Sequence, residues 1–327
     1  MAQSISLDAH LQSLISGHPN RTALTQEVIP ALLRTLPSIA QALRTTSVSR
    51  AGSANQFGDD QLNVDVLAEN LIRDAIAKVP AITTASSEED PVEKPAYQGS
   101  QPTDEQYTIA FDPLDGSSII GPNWTVGTII GIWDGPSALF SSSTPREKQV
   151  ASILGVLGPR TSAVVALRLP GTPGSTFEVQ LGDAGDLTVL RADVKLASAP
   201  STRYFAPANL RSAAETPAYL ALINHYIAQK YTLRYSGGLV PDIFHALIKG
   251  HGIYTSPVTP QSPAKLRRLY ELAPIALLVE CAGGVALDSK DGTHVLDEPV
   301  RDTDERGGLV CGNKEDVEFV KTRLLGE

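Results

Sequence analysis

The chain has 327 residues, 42% hydrophobic and 19% charged, enough to bury a sizeable core, and its length suggests two lobes. A formal net charge of -9 gives no overall positive field for nucleic acid or an anionic membrane, so an anionic ligand would have to meet local cations. No apolar run reaches the roughly 18 residues that span a bilayer, which excludes a membrane partner by helix insertion.

The N-terminal stretch MAQSISLDAH has no basic segment followed by an apolar core, and Cys281 and Cys311 show no ligand-like spacing. Both features predict a cytoplasmic chain with two buried, inert thiols. Thr25-Gln26-Glu27 opens an apolar-periodic helical stretch, EVIPALLRTLPSIAQALR, with interruptions expected at Pro30 and Pro37. After the polar connector TTSVSRAGSANQFGDD comes a helix, VDVLAENLIRDAIAKV, with Val64, Leu67, Leu71, Ile72, Ala75 and Val79 near a 3.6-residue period. Residues 81–104 are rich in Pro, Ser, Thr and acid, which predicts an exposed loop.

Strands are predicted at 107–111, at 125–133, around ILGVLG and TSAVVALRL, and at 177–181. The stretch 182–200 reads as a linker, giving lobes 1–190 and 191–327. Beyond it, ETPAYLALINHYIAQK, VPDIFHALIKG and RRLYELAPIALLVECAG read as helices, interleaved with the short strands GVALD and GGLVCG. Such a mixture predicts a layered α/β fold.

The chemistry centres on Asp112-Pro113-Leu114-Asp115-Gly116-Ser117-Ser118, directly after a predicted strand. Proline forces a turn that brings Asp112 and Asp115 towards one point, and converging carboxylates repel unless a cation lies between them. Gly116 permits close backbone approach, and the amides of Ser117 and Ser118 can face a phosphate. Taken alone, this is equally an Asx-Pro turn. Glu88-Glu89 alone reads as a solvated pair, and one of Asp59 and Asp65 alone reads as an N-cap. Glu271 in KLRRLYELAP, taken alone, reads as part of a surface ion-pair network rather than a site. Tyr235-Ser236-Gly237-Gly238 precedes a helix and leaves amides free for an anion, or is a plain loop.

Together these stretches resemble the fructose-1,6-bisphosphatase and inositol monophosphatase superfamily, whose metal motif is an Asp-Pro-x-Asp-Gly-Ser/Thr segment preceded by a Glu-Glu pair. Within it, NQFGDDQLNVDVLAENL, SSEED, AFDPLDGSSII, NWTVGTIIGIWDG, NLRS, YTLRYSGGLVPDI and KLRRLYELAPIALLVECAGG are similar to the sedoheptulose-1,7-bisphosphatase branch. The resemblance implies a layered α-β-α-β-α sandwich of the sugar phosphatase type. It implies magnesium, with manganese as substitute, bound by Glu88, Glu89, Asp112, Asp115, Glu271 and the carbonyl of Leu114. Asp59, Asp65 and Glu89 would activate a water. Asp115, Gly116, Ser117 and Ser118 would meet the cleaved phosphate, and Asn209, Tyr235, Gly237, Gly238, Lys265 and Arg267 the rest of a sugar bisphosphate.

Arg234 would serve a neighbouring subunit in a homodimer or homotetramer. Serines at 212 and 256, where six-carbon-specific relatives carry tyrosines, favour a longer substrate; fructose-1,6-bisphosphate is the alternative, and a catalytically silent sugar-phosphate sensor is the rival class. Nucleotide-regulated relatives use a Thr-Gly-Glu-Leu-Thr segment and a Lys-Tyr pair. This chain lacks the former and reads Gln106-Tyr107 at the latter. Plastid members carry a cysteine pair before the N-x-F-G-D segment, and here TTSVSRAGSAN has none. Neither AMP control nor thiol control is therefore expected.

Overall fold

In the computed structural model, which describes residues 5–54, 60–99, 103–182 and 185–326, five layers alternate between helix and sheet. The larger sheet has nine strands, in the order Ile5–Ser6, Leu187–Arg191, Ser175–Leu181, Thr161–Leu167, Gln149–Leu157, Val126–Asp134, Tyr107–Asp115, Ile82–Ser87 and Lys94–Pro95. Neighbours are antiparallel except Ile82–Ser87 beside Tyr107–Asp115. Helices Leu7–Leu14, Ile29–Thr45 and Asn63–Ile76 bury their apolar rows against one face. Leu239–Lys249 and Ala273–Cys281 cover the other.

The same two helices meet a five-stranded sheet, ordered Thr232–Leu233, Tyr204–Pro207, Ile253–Ser256, Leu309–Gly312 and Val285–Leu287. Its far face is closed by Pro217–Ala228 and Lys314–Leu325. Because both faces of the large sheet are covered, its central strands read as continuous apolar runs. Ile130 and Ile132 enter one core while Ile129 and Trp133 enter the other, as the two-residue period requires. A Cβ on Gly127 would lie 2.2 Å from Val240 Cγ1, so glycine there lets the start of Leu239–Lys249 settle directly onto the sheet.

Several expectations change. Ile29–Thr45 runs unbroken through Pro37, and Pro30 follows directly on the wide helical turn Leu24–Val28 without interrupting the helical run. The buried row Leu32, Leu33, Leu36 and Ile39 outweighs the one hydrogen bond that Pro37 forfeits. On Asn63–Ile76 the buried row is Val64, Ala68, Ile72 and Ile76, with Leu67 and Leu71 only half-buried. Within the polar connector, Arg50–Ala54 pairs with Asp60–Leu62.

The predicted loop at 81–104 contains the buried strand Ile82–Ser87, whose small and hydroxyl-bearing residues disguised an interior strand as a polar segment. The predicted linker holds the strand Leu187–Arg191, and the smaller sheet starts only with Tyr204. Tyr204–Pro207, Ile253–Ser256 and Lys314–Leu325 were not expected as elements. Both cysteines are buried, and burial pushes the Cys281 thiol up to about 11. No helix among the described residues is long and apolar enough to cross a membrane.

Candidate metal and phosphate site

The strand Tyr107–Asp115 does not turn at Asp112-Pro113 as the sequence suggested. It continues as a bulge: Asp112 pairs with Ile129 and Asp115 with Gly127, so Pro113 and Leu114 oppose Thr128 alone. Proline's missing N–H costs nothing in a bulge, and Thr128 Oγ1 donates to the Pro113 carbonyl at 2.9 Å. In a regular strand, residues three apart face opposite sides. The extra residue turns both aspartates to the same side.

Asp112 accepts the Leu114 N–H at 2.9 Å, and Asp115 accepts the Val240 N–H at 2.7 Å from the first turn of Leu239–Lys249. Glu271 arrives from the wide helical turn Arg268–Leu272 that precedes Ala273–Cys281, and it accepts the Arg267 N–H at 2.5 Å. One oxygen from each of Asp112, Asp115 and Glu271 lies within 4.8 Å of the others. Glu271 is 7% exposed, which removes the surface ion-pair reading.

Burial first, and the Glu88 carboxylate next, push Asp112 and Glu271 well above the usual carboxylate range. Burial likewise raises Asp115 to about 7 against the hydrogen bonds from the amides of Val240 and Leu239. Three hard oxygen donors crowded in this way suit a hard divalent cation, whose charge would relieve their repulsion. Leu114, with its carbonyl, sits inside the bulge between two of them.

Glu88 and Glu89 follow the strand Ile82–Ser87, where the Glu88 N–H donates to the Phe111 carbonyl at 3.0 Å. The Glu88 carboxylate pairs with the Arg267 guanidinium. Glu89 accepts from the Gln61 amide and is pushed up to about 7, mainly by burial, with Asp65 and Glu88 adding repulsion. Asp65 lies in the first turn of Asn63–Ile76, where Oδ2 accepts the Leu62 N–H at 2.8 Å and Oδ1 is buried without a hydrogen-bond partner. Burial raises it to about 6. Asp59 lies outside the described residues.

Gly116 takes a φ of 100°, which frees the chain to leave the strand and begin the short turn Ser117–Ile120. The first bond of that turn runs from the Ile119 N–H to the Gly116 carbonyl, so the amides of Ser117 and Ser118 are left ahead of it for an anion. Ser118 also lines a cavity of about 470 Å³ with Asn209, Tyr235, Gly237 and Lys265. Gly238 is buried at the helix start, and Arg234 is exposed with its guanidinium over the Tyr204 ring at 5.6 Å.

Arg267 departs from its expected place at the sugar. It is 3% exposed and faces Glu88 rather than the cavity, because a buried guanidinium demands a counter-charge. Sequence reasoning missed Arg211 and Ser262, which line the cavity. The available signal was the cation itself in the matched stretch NLRS.

Sheet layering, paired with a buried carboxylate cluster at a strand end, defines the sugar-phosphatase class of α/β folds. Residues 15–185 match the description "Fructose-1-6-bisphosphatase, N-terminal domain" and residues 199–324 match "Fructose-1-6-bisphosphatase, C-terminal domain". The chain belongs to the fructose-1,6-bisphosphatase family. It is 39% identical to the chloroplastic sedoheptulose-1,7-bisphosphatase of Triticum aestivum over 88% of this chain and 70% of that one. It is 36% identical to the class 1 fructose-1,6-bisphosphatase of Syntrophotalea carbinolica over 88% of this chain and 85% of that one.

A crystal structure of a Toxoplasma gondii protein, provisionally named a sedoheptulose-1,7 bisphosphatase, superposes with a TM-score of 0.86 at 35% identity. That likeness covers 98% of this chain and 99% of that one. The holo fructose-1,6-bisphosphatase of Leishmania major shares the fold, with a TM-score of 0.81 at 24% identity over 98% of each chain.

Proposed function

We propose that the chain is a magnesium-dependent phosphatase that removes the 1-phosphate of sedoheptulose-1,7-bisphosphate, giving sedoheptulose 7-phosphate and phosphate. The observation that carries the reading is the convergence of Asp112, Asp115 and Glu271 on one point. A bound magnesium or manganese ion supplies Lewis-acid charge to phosphoryl oxygens and lowers the pKa of a water. Asp112, Asp115, Glu271, Glu88, Glu89 and the Leu114 carbonyl would hold it.

The amides of Gly116, Ser117 and Ser118 receive the phosphate to be cleaved, as fixed donors that need no reorganisation. Glu89 and Asp65, with Asp59, orient the attacking water and take its proton. Carboxylates lifted towards neutrality are suited to that transfer. The sugar and its second phosphate extend into the cavity at Asn209, Tyr235, Gly237 and Lys265. Water attacks phosphorus directly, in line with the departing sugar oxygen, and no residue becomes phosphorylated.

Substrate length follows from the cavity wall. Ser256 lines the cavity and leaves room where six-carbon-specific relatives carry a tyrosine. Ser212 is buried and does not line it, so the expected second contribution is withdrawn. A higher kcat/KM for sedoheptulose-1,7-bisphosphate than for fructose-1,6-bisphosphate is expected at matched magnesium and pH. A tenfold preference for the six-carbon substrate, about 1.4 kcal/mol of transition-state discrimination, would make fructose-1,6-bisphosphatase the better reading.

AMP is expected to inhibit weakly or not at all. At the start of the first long helical run, the Glu105 carboxylate accepts the N–H groups of Ala23 and Leu24 at 2.9 and 3.1 Å and the Tyr107 hydroxyl at 2.8 Å. Arg21 alongside is paired with Asp134. Amides that could take a phosphate are thus already satisfied by an anion of the chain. Inhibition by micromolar AMP would contradict this.

The reading includes a cytoplasmic homodimer or homotetramer, with Arg234 serving the neighbouring site. Light scattering is expected to give two or four times the chain mass of 34.7 kDa. A fully active monomer would remove the role assigned to Arg234.

A further inference from the structure

We infer that Arg211, together with Lys265, grips the second phosphate of the substrate; the inference deepens the reading above and rests on it. Among the described residues lining the cavity beside Ser118, the charged side chains are Arg211 and Lys265, and there is no carboxylate. Neither cation has an ion-pair partner among the described residues, whereas their neighbours Arg267 and Arg268 are paired with Glu88 and Asp288. In a chain with 36 acidic against 27 basic residues, a concave wall with cations and no acids is set apart from the rest of the surface.

The wall that carries these cations is built rather than loose. Arg211 stands in the turn Leu210–Ala214, entered through Asn209 in a left-handed conformation with a φ of 53°. Asn209 Nδ2 donates to the Pro257 carbonyl at 3.1 Å, and Asn209 Oδ1 accepts from Ser262 Oγ at 2.9 Å. The segments bearing Arg211 and Lys265 are therefore tied together across the cavity. Asn209 Oδ1 and one Nδ2 hydrogen are engaged in that tie, and Arg267 is paired with Glu88.

Tyr235 completes the group. Its phenol lies near the Asn209 backbone N–H and within the field of Arg211. A guanidinium fork matches two phosphate oxygens at once, and an ammonium beside it adds charge without that geometry.

The test titrates sedoheptulose 7-phosphate, which carries the distal phosphate alone, into wild type, Arg211→Gln and Arg211→Lys by calorimetry. Hydrolysis of sedoheptulose-1,7-bisphosphate and of fructose 1-phosphate, which lacks the distal phosphate, is measured alongside. Arg211→Gln is expected to weaken product binding by about 10- to 100-fold, as loss of a charge-assisted bidentate contact does, with Arg211→Lys recovering part of it. The ratio of kcat/KM for the bisphosphate to that for fructose 1-phosphate is expected to fall by a similar factor, through KM rather than kcat. Wild-type product binding by Arg211→Gln, or an unchanged ratio, would overturn the inference and leave the proposed function standing. A wild-type protein that releases no phosphate from any bisphosphate would overturn the proposed function, while the calorimetry would still decide the role of Arg211.

Discussion

Asp115→Asn is expected to abolish phosphate release, by at least about 10³-fold, while leaving the fold as stable as wild type or more so in the absence of metal. The activity loss follows because the substitution removes one anionic oxygen from the cluster with Asp112 and Glu271 at almost constant size, and single charge-stabilising groups carry effects of that order. Stability is retained because an asparagine carbonyl still accepts the Val240 N–H that ties the bulge to the helix Leu239–Lys249. Any rise comes from removing a like charge from a buried group of acids held above their usual range. Kinetics and thermal unfolding in chelator check both halves. Near wild-type turnover would remove the cluster from the mechanism, and a large loss of stability would make Asp115 a structural residue instead.

Stability in chelator is expected to fall as pH rises from about 4 to about 7, and magnesium is expected to restore it at the upper end. The sign follows from the direction of the shifts. Asp115 and Glu89 are raised to about 7 and Asp65 to about 6, so across this window the folded chain holds protons that the unfolded chain has already released. Stability from such groups is full below the unfolded carboxylate range and is lost as pH climbs through the folded values. The melting temperature in chelator should therefore drop by about 3–6 °C between pH 5 and pH 8. Saturating magnesium at pH 8 should recover it, and magnesium binding near pH 6.5 should release protons. A chelator-treated protein that is more stable at pH 8 than at pH 5 would contradict this account.

Much of the fold was legible because its strongest elements repeat a simple period. The run TVGTIIGIW carries no charged residue, and it became a strand covered on both faces. The strand Ile82–Ser87 was hidden because Thr and Ser are polar in composition yet buried in the sheet, and composition cannot show that. Pro37 misled in the opposite direction, since one lost backbone bond cannot break a helix whose apolar row is buried along its length.

At the site, the local acids in Asp112-Pro113-Leu114-Asp115 were visible as a motif, but the device that aligns them was not. A bulge is defined by pairing with a partner strand, here at Thr128, and a single segment carries no record of its partner. Glu271 shows the same limit from farther away. Its neighbours in sequence are cations, as on a solvated helix face, and only the packing of Arg268–Leu272 against the large sheet brings it beside Asp112 and Asp115. The resemblance placed Arg267 at the substrate, whereas the distant Glu88 that pairs with its guanidinium left no trace in the local sequence.

The most direct test of the account is phosphate release from sedoheptulose-1,7-bisphosphate by the purified chain, measured with magnesium and again in excess chelator. Hydrolysis that requires the cation and stops on chelation is the predicted result. Full activity in chelator, or no release from either the seven-carbon or the six-carbon bisphosphate with magnesium present, would contradict it.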